Sequence, residues 1–405
     1  GLADLRNAGR QLLAGGAHDV VEVDEDALRS LRAQIDLVGG VLGHARMGLE
    51  HQVELTDAGE ILLAADGADD VMLVDVGFQF FVFPTVAGFG ALGIVFDQLV
   101  GAETGFAGFA RAIGQVRGLY SDEERVQALC AADRQMWQEG VQAVGDIVNG
   151  TTSYPMKQQS KIRYHSFAEL FGLRSDVDSI SPLVGQSATT PTPHSIYSLQ
   201  DAPFRRVAAQ AGDAPLSIHF MESPDELALY QGEGSLAAWY GRMGWECDFL
   251  HYGSPAKRIV ESLSRGQRLL LVHNCCASEE DITLINSYFE KPVAWVLCPR
   301  SNDYISGLKP PVELLLRHNA MICVGTDSLA SNDSLSMLEE LKMFADTPLT
   351  QSLMWATING ARALGVEREM GSVEVGKRPG LVLIEGVEDV DGLRLTPTAA
   401  ARRLI

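Results

Sequence analysis

The chain has 405 residues, of which 46% are apolar, so it can bury a large core and is too long for one small domain. Its formal net charge of −21, from 32 basic and 53 acidic residues, argues against nucleic acid and anionic membranes as partners. The sequence has no apolar run of about 18 residues without charges or turn signals, which argues against a membrane span. Its six cysteines show no C-x-x-C spacing, which predicts buried free thiols in a reducing compartment. These features predict a cytoplasmic protein that handles a small molecule.

The first 75 residues differ in composition from the rest of the chain. No lysine occurs before Lys157, and no arginine lies between Arg46 and Arg111. A helical run, DEDALRSLRAQIDLVGG (24–40), precedes possible strands in HQVELTDAGEILLAADG (51–67). We predict that residues 1–80 form the N-terminal part of a small β domain.

Strand-like and helix-like runs alternate from about residue 111 onward. Helical periodicity and a glycine stop predict a helix over 122–140. Buried strands are predicted within six segments: 141–150, 161–172, 214–223, 268–278, 293–302 and 319–324. This alternation is typical of βα units with a parallel sheet. We predict an α/β fold with a (β/α)8 TIM-like barrel over 81–365, followed by a second β segment over 366–405.

Four polar side chains lie at the predicted ends of strands, and a fifth, His194, lies in TPTPHSIYS, predicted as a loop with two prolines. The four side chains at strand ends are His219, Glu222, His273 and Asp327. Residues i and i+3 of a strand point to opposite faces, so Glu222 must lie just past the strand to meet the same ligand as His219. The Asp327 carboxylate is costly to bury unless a metal, an arginine or a helix N-terminus pairs with it.

This set of residues could catalyse metal-assisted hydrolysis. A histidine and an aspartate would hold a divalent ion, which lowers the pKa of bound water to roughly 7. Glu222 and His273 are then the candidates for moving the proton. In the alternative interpretation, the polar strand ends of a purely structural barrel only bond to one another.

Several segments resemble the amidohydrolase superfamily, in particular its deaminase and chlorohydrolase branch. They are LSIHFMESPDE, LLLVHNCCASEEDI, CPRSNDYISG, ICVGTDSLASNDSLSMLEELK and WATINGARALGVEREMGSVEVGKRPGLVLIE. The resemblance covers about residues 101–386. It implies a metal-bearing barrel, a small β-sandwich formed by the chain termini, and hydrolytic deamination of a purine-type nucleoside or related amino-heterocycle.

The resemblance also implies a role for each of these residues. His219 and Asp327 match metal ligands, and Asp327 would also polarise the attacking water. Glu222 matches the proton-shuttling glutamate, and His273 matches a histidine that touches the water or the substrate. His194 matches a histidine of the substrate pocket.

The same resemblance bears on the substrate pocket and the number of metal ions. Asn302 and Ser331 lie in segments that would edge the pocket, so we predict that they bind substrate. The segment VGQSATTPTPHS (184–195) has no lysine to bridge two ions, which favours a single divalent metal, zinc before iron or manganese. A homodimer is implied only because many relatives form one.

The chain departs from the family pattern at the first barrel strand. The two histidine ligands expected after Pro84 are replaced by Gly90 and Leu92, which cannot bind a metal. His44 and His51 match no strand motif and are poor substitutes.

Three interpretations follow from this departure. In the first, the chain is an active metal-dependent enzyme whose first 100 residues, as written, misrepresent the natural chain. In the second, it is a metal-free barrel that binds a small ligand. In the third, it binds metal weakly through His219, His273 and Asp327. The first is favoured, because buried unpaired polar groups at one face would each cost about 1–3 kcal/mol in a protein without chemistry.

Overall fold

The computed structural model describes residues 51–55, 61–65, 70–73, 78–81, 121–389 and 392–404. The strands are β1 His51–Leu55, β2 Ile61–Ala65, β3 Asp70–Leu73, β4 Phe78–Phe81, β5 Ala143–Val148, β6 Arg163–Leu170, β7 Thr189–Pro193, β8 Pro215–Phe220, β9 Arg268–His273, β10 Ala294–Leu297, β11 Met321–Val324, β12 Val382–Asp389 and β13 Leu393–Arg403. The helices are α1 Asp122–Gln138, α2 Tyr154–Lys157, α3 Ser181–Val184, α4 Asp201–Ala211, α5 Pro224–Tyr230, α6 Gly234–Arg242, α7 Pro255–Ser262, α8 Glu279–Tyr288, α9 Pro299–Ser306, α10 Val312–Arg317, α11 Met337–Lys342, α12 Leu349–Ala356 and α13 Ile358–Leu364. Short 3-10 turns add Val177–Ile180 and Leu250–Tyr252.

Eight of the strands form two parallel sheets of four. One sheet has the order β4-β5-β6-β7 and the other the order β11-β10-β9-β8, so each strand pairs with its neighbour in the sequence. Helices cross over between most of these strands, and β5, β8 and β10 are buried along their whole length. Burial on both faces explains why these strands are mainly apolar rather than alternating, with β10 (AWVL) apolar throughout. The predicted α/β fold with parallel sheets is confirmed.

The prediction of a loop around His194 is wrong for the residues before it. Thr189–Pro193 is a strand, and Pro191 and Pro193 lie in register with Ala168 and Leu170 of β6. Proline has no backbone N–H, so it cannot donate a hydrogen bond to a second neighbouring strand. Instead of a regular ladder to β8, the Thr192 hydroxyl donates to the Ser217 carbonyl oxygen and accepts from the Ser217 N–H (3.2 Å). These prolines therefore account for the break between the two sheets.

A shared apolar cluster lies against strands of both sheets. It joins residues of β5 and β6 to residues of β9, β10 and β11: Ala143, Ile147, Phe167, Leu270, Val272, Ala294, Val296 and Cys323. At a transfer free energy of about 25 cal/mol per Å², burying such side chains stabilises the fold by roughly 1.5–3 kcal/mol for each large residue. The apolar core therefore fixes the positions of the strands that carry the polar residues at their ends.

The two ends of the described chain meet in one antiparallel sheet with the order β1-β2-β3-β12-β13. β12 pairs with both β3 and β13, and its register with β13 shifts between Glu385 and Val387. Gly386 lies at this bulge with φ of 78°, and a Cβ there would come within 2.9 Å of the Ala399 Cα atom. The strands predicted within 51–67 are confirmed. Within the β segment predicted over 366–405, strand structure begins only at Val382.

The predicted helix over 122–140 is confirmed as Asp122–Gln138, and its start is fixed by a capping box. Ser121 N–H donates to Glu124 Oε2 (2.8 Å), and Glu124 N–H donates to Ser121 Oγ (3.2 Å).

No helix within the described ranges has the length and apolar character needed to span a membrane. All six cysteines are free as predicted, but only Cys298 and Cys323 are fully buried.

Parts of the predicted N-terminal organisation lie outside the described residues. These are the helix over 24–40, His44, and the unusual positions Gly90 and Leu92. His51 begins β1. The described residues of 51–373 and 377–404 belong to one compact unit.

Candidate active site

The structure places the predicted site residues at the carboxyl ends of neighbouring parallel strands. His219 lies in β8 and His273 ends β9, whereas His194 directly follows β7. Asp327 lies three residues after β11. Neighbouring parallel strands present their carboxyl ends at the same edge of a sheet, and active sites of α/β proteins form there.

Glu222 lies in the turn after β8, as the strand geometry predicts. The strand ends at Phe220, and Met221 adopts a left-handed conformation with φ of 50°. The buried Glu226 carboxylate fixes this turn by accepting the N–H groups of Met221 (2.9 Å) and Glu222 (2.7 Å). Ser223 N–H also donates to Glu226 Oε1 (3.4 Å) at the start of α5, and the S-x-x-E signature of this contact is readable in the sequence.

His273 is held between an amide and a carboxyl group. Its backbone has φ of 84°, a costly conformation for a non-glycine residue. Asn302 Nδ2 donates to His273 Nδ1 (3.1 Å), which assigns the ring proton to Nε2. That Nε2 atom lies 3.7 Å from Glu222 Oε1. Asn302 Oδ1 has no hydrogen-bond partner among the described residues, so it could accept a hydrogen bond from a ligand.

The buried Asp327 carboxylate is satisfied by short polar groups. Ser301 Oγ and Ser331 Oγ lie 2.6 and 2.9 Å from its Oδ2, and Ser328 N–H donates to Oδ1 (2.7 Å). Asp327 itself has φ of 57°. Ser331, predicted to bind substrate, thus contacts Asp327, and Ser301 is a residue that the sequence analysis missed.

A second group of donors surrounds His219. The rings of His219 and His194 stack with centroids 4.5 Å apart. Glu169, near the end of β6, places Oε1 4.0 Å from His219 Nδ1. One donor atom from each of these three residues lies within 4.8 Å of the other two. Among the described residues this is the group that could hold a metal ion, and neither Asp327 nor His273 is one of its members.

Sequence analysis missed Glu169, although a signal was present. His165, Phe167 and Glu169 alternate along β6, so they share one face of the strand. A glutamate on the same face as buried Phe167, at the carboxyl end of a strand, is unusual unless it has a polar partner or a ligand.

Burial sets the proton affinities of the site. It lowers the pKa of His219 to about 4 and, together with nearby His219, lowers the pKa of His273 well below its usual range. Burial raises the pKa of Glu222 well above its usual range, and Asp327 and Glu226 add to this. Burial also raises the pKa of Asp327 to about 6, although hydrogen bonds from Ser301, Ser331 and Ser328 act to lower this pKa. The site therefore combines neutral imidazoles with carboxyl groups that can bind a proton near neutral pH.

The sequence of the matched region establishes the family. The model of the amidohydrolase family matches residues 184–401, which is more than half of the chain. The chain belongs to the amidohydrolase family. His194, His219, Glu222, His273 and Asp327 all lie within the matched region, and Glu169 precedes it.

Individual relatives place this amidohydrolase among deaminase-like sequences. It is 30% identical over 210 residues to a 5-methylthioadenosine/S-adenosylhomocysteine deaminase of Saccharophagus degradans. That match covers 48% of this chain and 42% of the relative, so the chain matches less than half the length of this curated protein. The resemblance to the deaminase branch seen in the sequence is confirmed.

Solved structures share the fold of this amidohydrolase. An aminofutalosine deaminase from Helicobacter pylori, in complex with methylthio-coformycin, superimposes with a TM-score of 0.66 at 24% identity. The match covers 78% of this chain and 79% of that one. An adenosine deaminase from Xanthomonas campestris with bound zinc gives a TM-score of 0.60 at 20% identity, covering 80% of each chain. At these identities the likeness shows the fold alone.

Proposed function

We propose that this amidohydrolase is a metal-dependent hydrolytic deaminase of a purine-type nucleoside or a related amino-heterocycle. Water would add to the ring carbon that carries the amino group, the C–N bond would break, and ammonia would leave. The observation that carries the proposal is the buried pair of Glu222 and His273, 3.7 Å apart, at the carboxyl ends of the strands that also present His219. Named relatives that deaminate adenosine-like nucleosides support the substrate class.

We also propose the architecture that the family implies. The two parallel sheets would close into a (β/α)8 barrel over 81–365, except that its first described strand, β4, already begins at Phe78, before the predicted boundary. The terminal segments, predicted as 1–80 and 366–405, would form a β-sandwich. The apolar cluster shared by both parallel sheets supports closure. The antiparallel pairing of β3 with β12 supports joint folding of the two terminal segments.

The donor set fits a divalent ion, because imidazole and carboxylate groups converge on His219. By resemblance, His219 and Asp327 would hold zinc, iron or manganese. When bound, the ion would lower the pKa of a water molecule to about 7 and so supply the nucleophile.

Glu222 would move the protons of the reaction. Its raised pKa suits a carboxyl group that takes a proton from water and delivers it to the departing amine. His273, kept neutral by burial and oriented by Asn302, would donate from Nε2 to the attacking water or the ring. His194, Asn302 and Ser331 would contact the substrate, with aromatic Phe171 and Tyr197 flanking the His194 ring.

Direct assay tests the proposal. The purified chain, supplied with zinc, is incubated with adenosine, 5-methylthioadenosine and S-adenosylhomocysteine, and ammonia and the oxo product are measured. We expect turnover of at least one of these compounds. Tight binding of a purine nucleoside without turnover, with and without zinc, would overturn the proposal and support the metal-free binding protein instead.

A further inference from the structure

We propose that Arg258, Tyr230 and Tyr240 are positioning residues that hold the loop carrying His194 and thereby set the affinity of the site for its nucleoside. The loop consists of residues 194–199, which directly follow β7, and is the His194 loop. The inference rests on the proposed function, in which His194 contacts the substrate. The three positioning residues act on the substrate only through this loop.

The His194 loop is buried, although it lies outside the strands. Residues 195–199 are all between 0% and 8% exposed. A buried backbone carbonyl group that has no partner costs free energy, and a loop has no regular ladder to supply donors. Side chains from helices α5, α6 and α7 supply donors to the carbonyl oxygens of Ile196, Tyr197 and Leu199.

Arg258, in α7, donates to two of these carbonyl groups. Its Nη1 donates to the Ile196 carbonyl oxygen (2.6 Å) and its Nη2 to the Leu199 carbonyl oxygen (2.9 Å). The side chain is completely buried, and its guanidinium lies 4.0 and 4.5 Å from the ring centroids of Phe249 and Phe204. These cation–π contacts offset part of the cost of burying the charge. The planar guanidinium therefore holds two carbonyl groups of the loop at a fixed separation.

Two tyrosine hydroxyls complete the contacts. Tyr230, the last residue of α5, donates to the Ile196 carbonyl oxygen (2.8 Å), and Tyr240 of α6 donates to the Tyr197 carbonyl oxygen (3.2 Å). Helices α5, α6 and α7 all belong to the segment between β8 and β9. One excursion of the chain thus holds the loop that follows β7.

The His194 ring takes neighbours from the part of the loop that is held. Its Nδ1 atom lies 3.2 Å from Ser198 Oγ, and its ring meets the Tyr197 ring edge-on with centroids 5.9 Å apart. Tyr197 and Ser198 lie between Ile196 and Leu199, the two residues whose carbonyl groups Arg258 binds. Loss of these contacts should therefore let the His194 ring change its orientation.

The backbone of His194 is held by different contacts. Its N–H donates to the Leu170 carbonyl oxygen (2.9 Å), and its carbonyl oxygen accepts from the N–H (2.9 Å) and Nδ1 (2.8 Å) of His219. None of these bonds involves Arg258 or the two tyrosines. We therefore expect changes in the positioning residues to weaken substrate binding and to spare His219, a proposed metal ligand.

The test measures nucleoside affinity separately from turnover. The Kd of adenosine and of 5-methylthioadenosine is measured by calorimetry on the zinc-supplied full chain carrying Glu222→Gln, so that neither compound is consumed. Arg258→Met keeps a long side chain without donors, and we expect it to weaken binding about tenfold or more, because two hydrogen bonds are lost. Tyr230→Phe and Tyr240→Phe each remove one hydroxyl, and we expect each to weaken binding about fivefold. With native Glu222, KM should rise while kcat and zinc content stay within about twofold.

Tyr288→Phe is the matched control. The Tyr288 hydroxyl donates to the Leu263 carbonyl oxygen at 2.8 Å, the same kind of bond at the same distance as that of Tyr230, but outside the His194 loop. A purely structural role of these hydroxyls would lower the unfolding temperature in both variants and leave Kd unchanged. We expect Tyr288→Phe to bind both nucleosides as the parent chain does.

Folding of each variant is checked by thermal unfolding of the metal-free protein. If Arg258→Met does not fold, the two tyrosine variants carry the test. Parent-like Kd in the folded variants overturns the inference, and so does equal weakening by Tyr288→Phe. A parent chain that binds neither nucleoside overturns both this inference and the proposed function. Binding weakened as expected, without deamination by the chain with native Glu222, would overturn the proposed function alone.

Discussion

His273 Nε2 lies 3.7 Å from Glu222 Oε1, and the two side chains are 1% and 7% exposed. Opposed effects of burial make this pair useful for proton transfer. Burial lowers the pKa of the imidazole and raises the pKa of the carboxyl group, so both groups favour their neutral forms. A carboxyl group with a raised pKa can take up a proton in its ionised form and give it back in its neutral form, and the neutral imidazole beside it can donate from Nε2.

Replacing Glu222 by glutamine should abolish deamination and spare substrate binding. Glutamine keeps the size and hydrogen-bonding reach of the side chain but cannot carry the proton from water to the amine. We expect kcat to fall by a factor on the order of 10²–10⁴, the usual contribution of a positioned acid or base. The measurement is kcat from ammonia release, together with the Kd of a purine nucleoside.

The control for this variant is Glu261→Gln. Glu261 is an exposed glutamate in α7, and its replacement should leave kcat unchanged. Full activity of Glu222→Gln would show that another group moves the proton.

Replacing Asn302 by alanine should reduce kcat more than it changes KM. The Asn302 amide donates to His273 Nδ1, so its loss frees the ring to rotate and to change tautomer. We expect a decrease in kcat of about fivefold, since a hydrogen bond of this kind is worth about 1 kcal/mol. Asp303→Asn, at an exposed position of the same helix α9, is the control. A rise in KM at constant kcat would instead assign Asn302 to substrate binding alone.

Much of the fold could be predicted because buried parallel strands have a simple sequence pattern. β8, β9 and β10 are short, mainly apolar runs, and His219 and His273 near the ends of β8 and β9 mark the functional edge. β7 was missed because two of its five residues are proline, which normally argues against a strand. Its strand structure depends on pairing with β6, and a partner distant in sequence leaves no local signal.

The site could be predicted only in part, for a similar reason. His219, Glu222 and Asp327 stand out because each interrupts or follows an apolar run. The contact of Ser301 with Asp327 joins residues 26 positions apart, and no periodicity predicts it. The Glu169 group is formed by three separate strands, and its members become neighbours only through strand order and register.

Replacing Ser301 by alanine should impair catalysis through Asp327. The Ser301 hydroxyl contacts both Asp327 Oδ2 and Ser331 Oγ, so its loss leaves the carboxylate with fewer donors. A hydrogen bond to a charged group contributes about 1.5–3 kcal/mol, and we expect kcat to fall by about tenfold or more. Ser287→Ala, at an exposed position of α8, is the control. Unchanged kinetics of Ser301→Ala would show that Ser328 and Ser331 suffice to position Asp327.

Removing divalent metal should abolish turnover without unfolding the protein. None of the proposed ligands belongs to the apolar cluster shared by the two parallel sheets, so the fold should survive chelation. We expect activity to be lost after dialysis against a chelator and restored by about one equivalent of zinc, while the unfolding transition remains cooperative. Activity that persists in protein shown to contain no metal would contradict the proposed mechanism.

The stability of the protein should depend on Glu340, a buried carboxyl group of α11. Its Oε1 accepts from Asn332 Nδ2 (2.6 Å) and its Oε2 from Arg300 N–H (3.2 Å), so it ties the loop after Asp327 to helix α9. Burial raises the pKa of Glu340 from 4.5 to about 8 despite these bonds. The folded state therefore binds the Glu340 proton more tightly than the unfolded state does.

This difference in proton affinity predicts a pH dependence with a definite sign. The stabilisation from protonated Glu340 is fully present below about pH 4.5 and is lost as the pH rises through about 8. Glu340→Gln stays neutral throughout, so the wild type should lose free energy of unfolding relative to this variant between pH 5.5 and 8.5, by at most about 1.4 kcal/mol per pH unit. Urea unfolding at each pH measures the difference, and exposed Glu261→Gln should follow the wild type. A difference between wild type and Glu340→Gln that stays constant with pH would mean that Arg300 and Asn332 keep Glu340 ionised in the folded state.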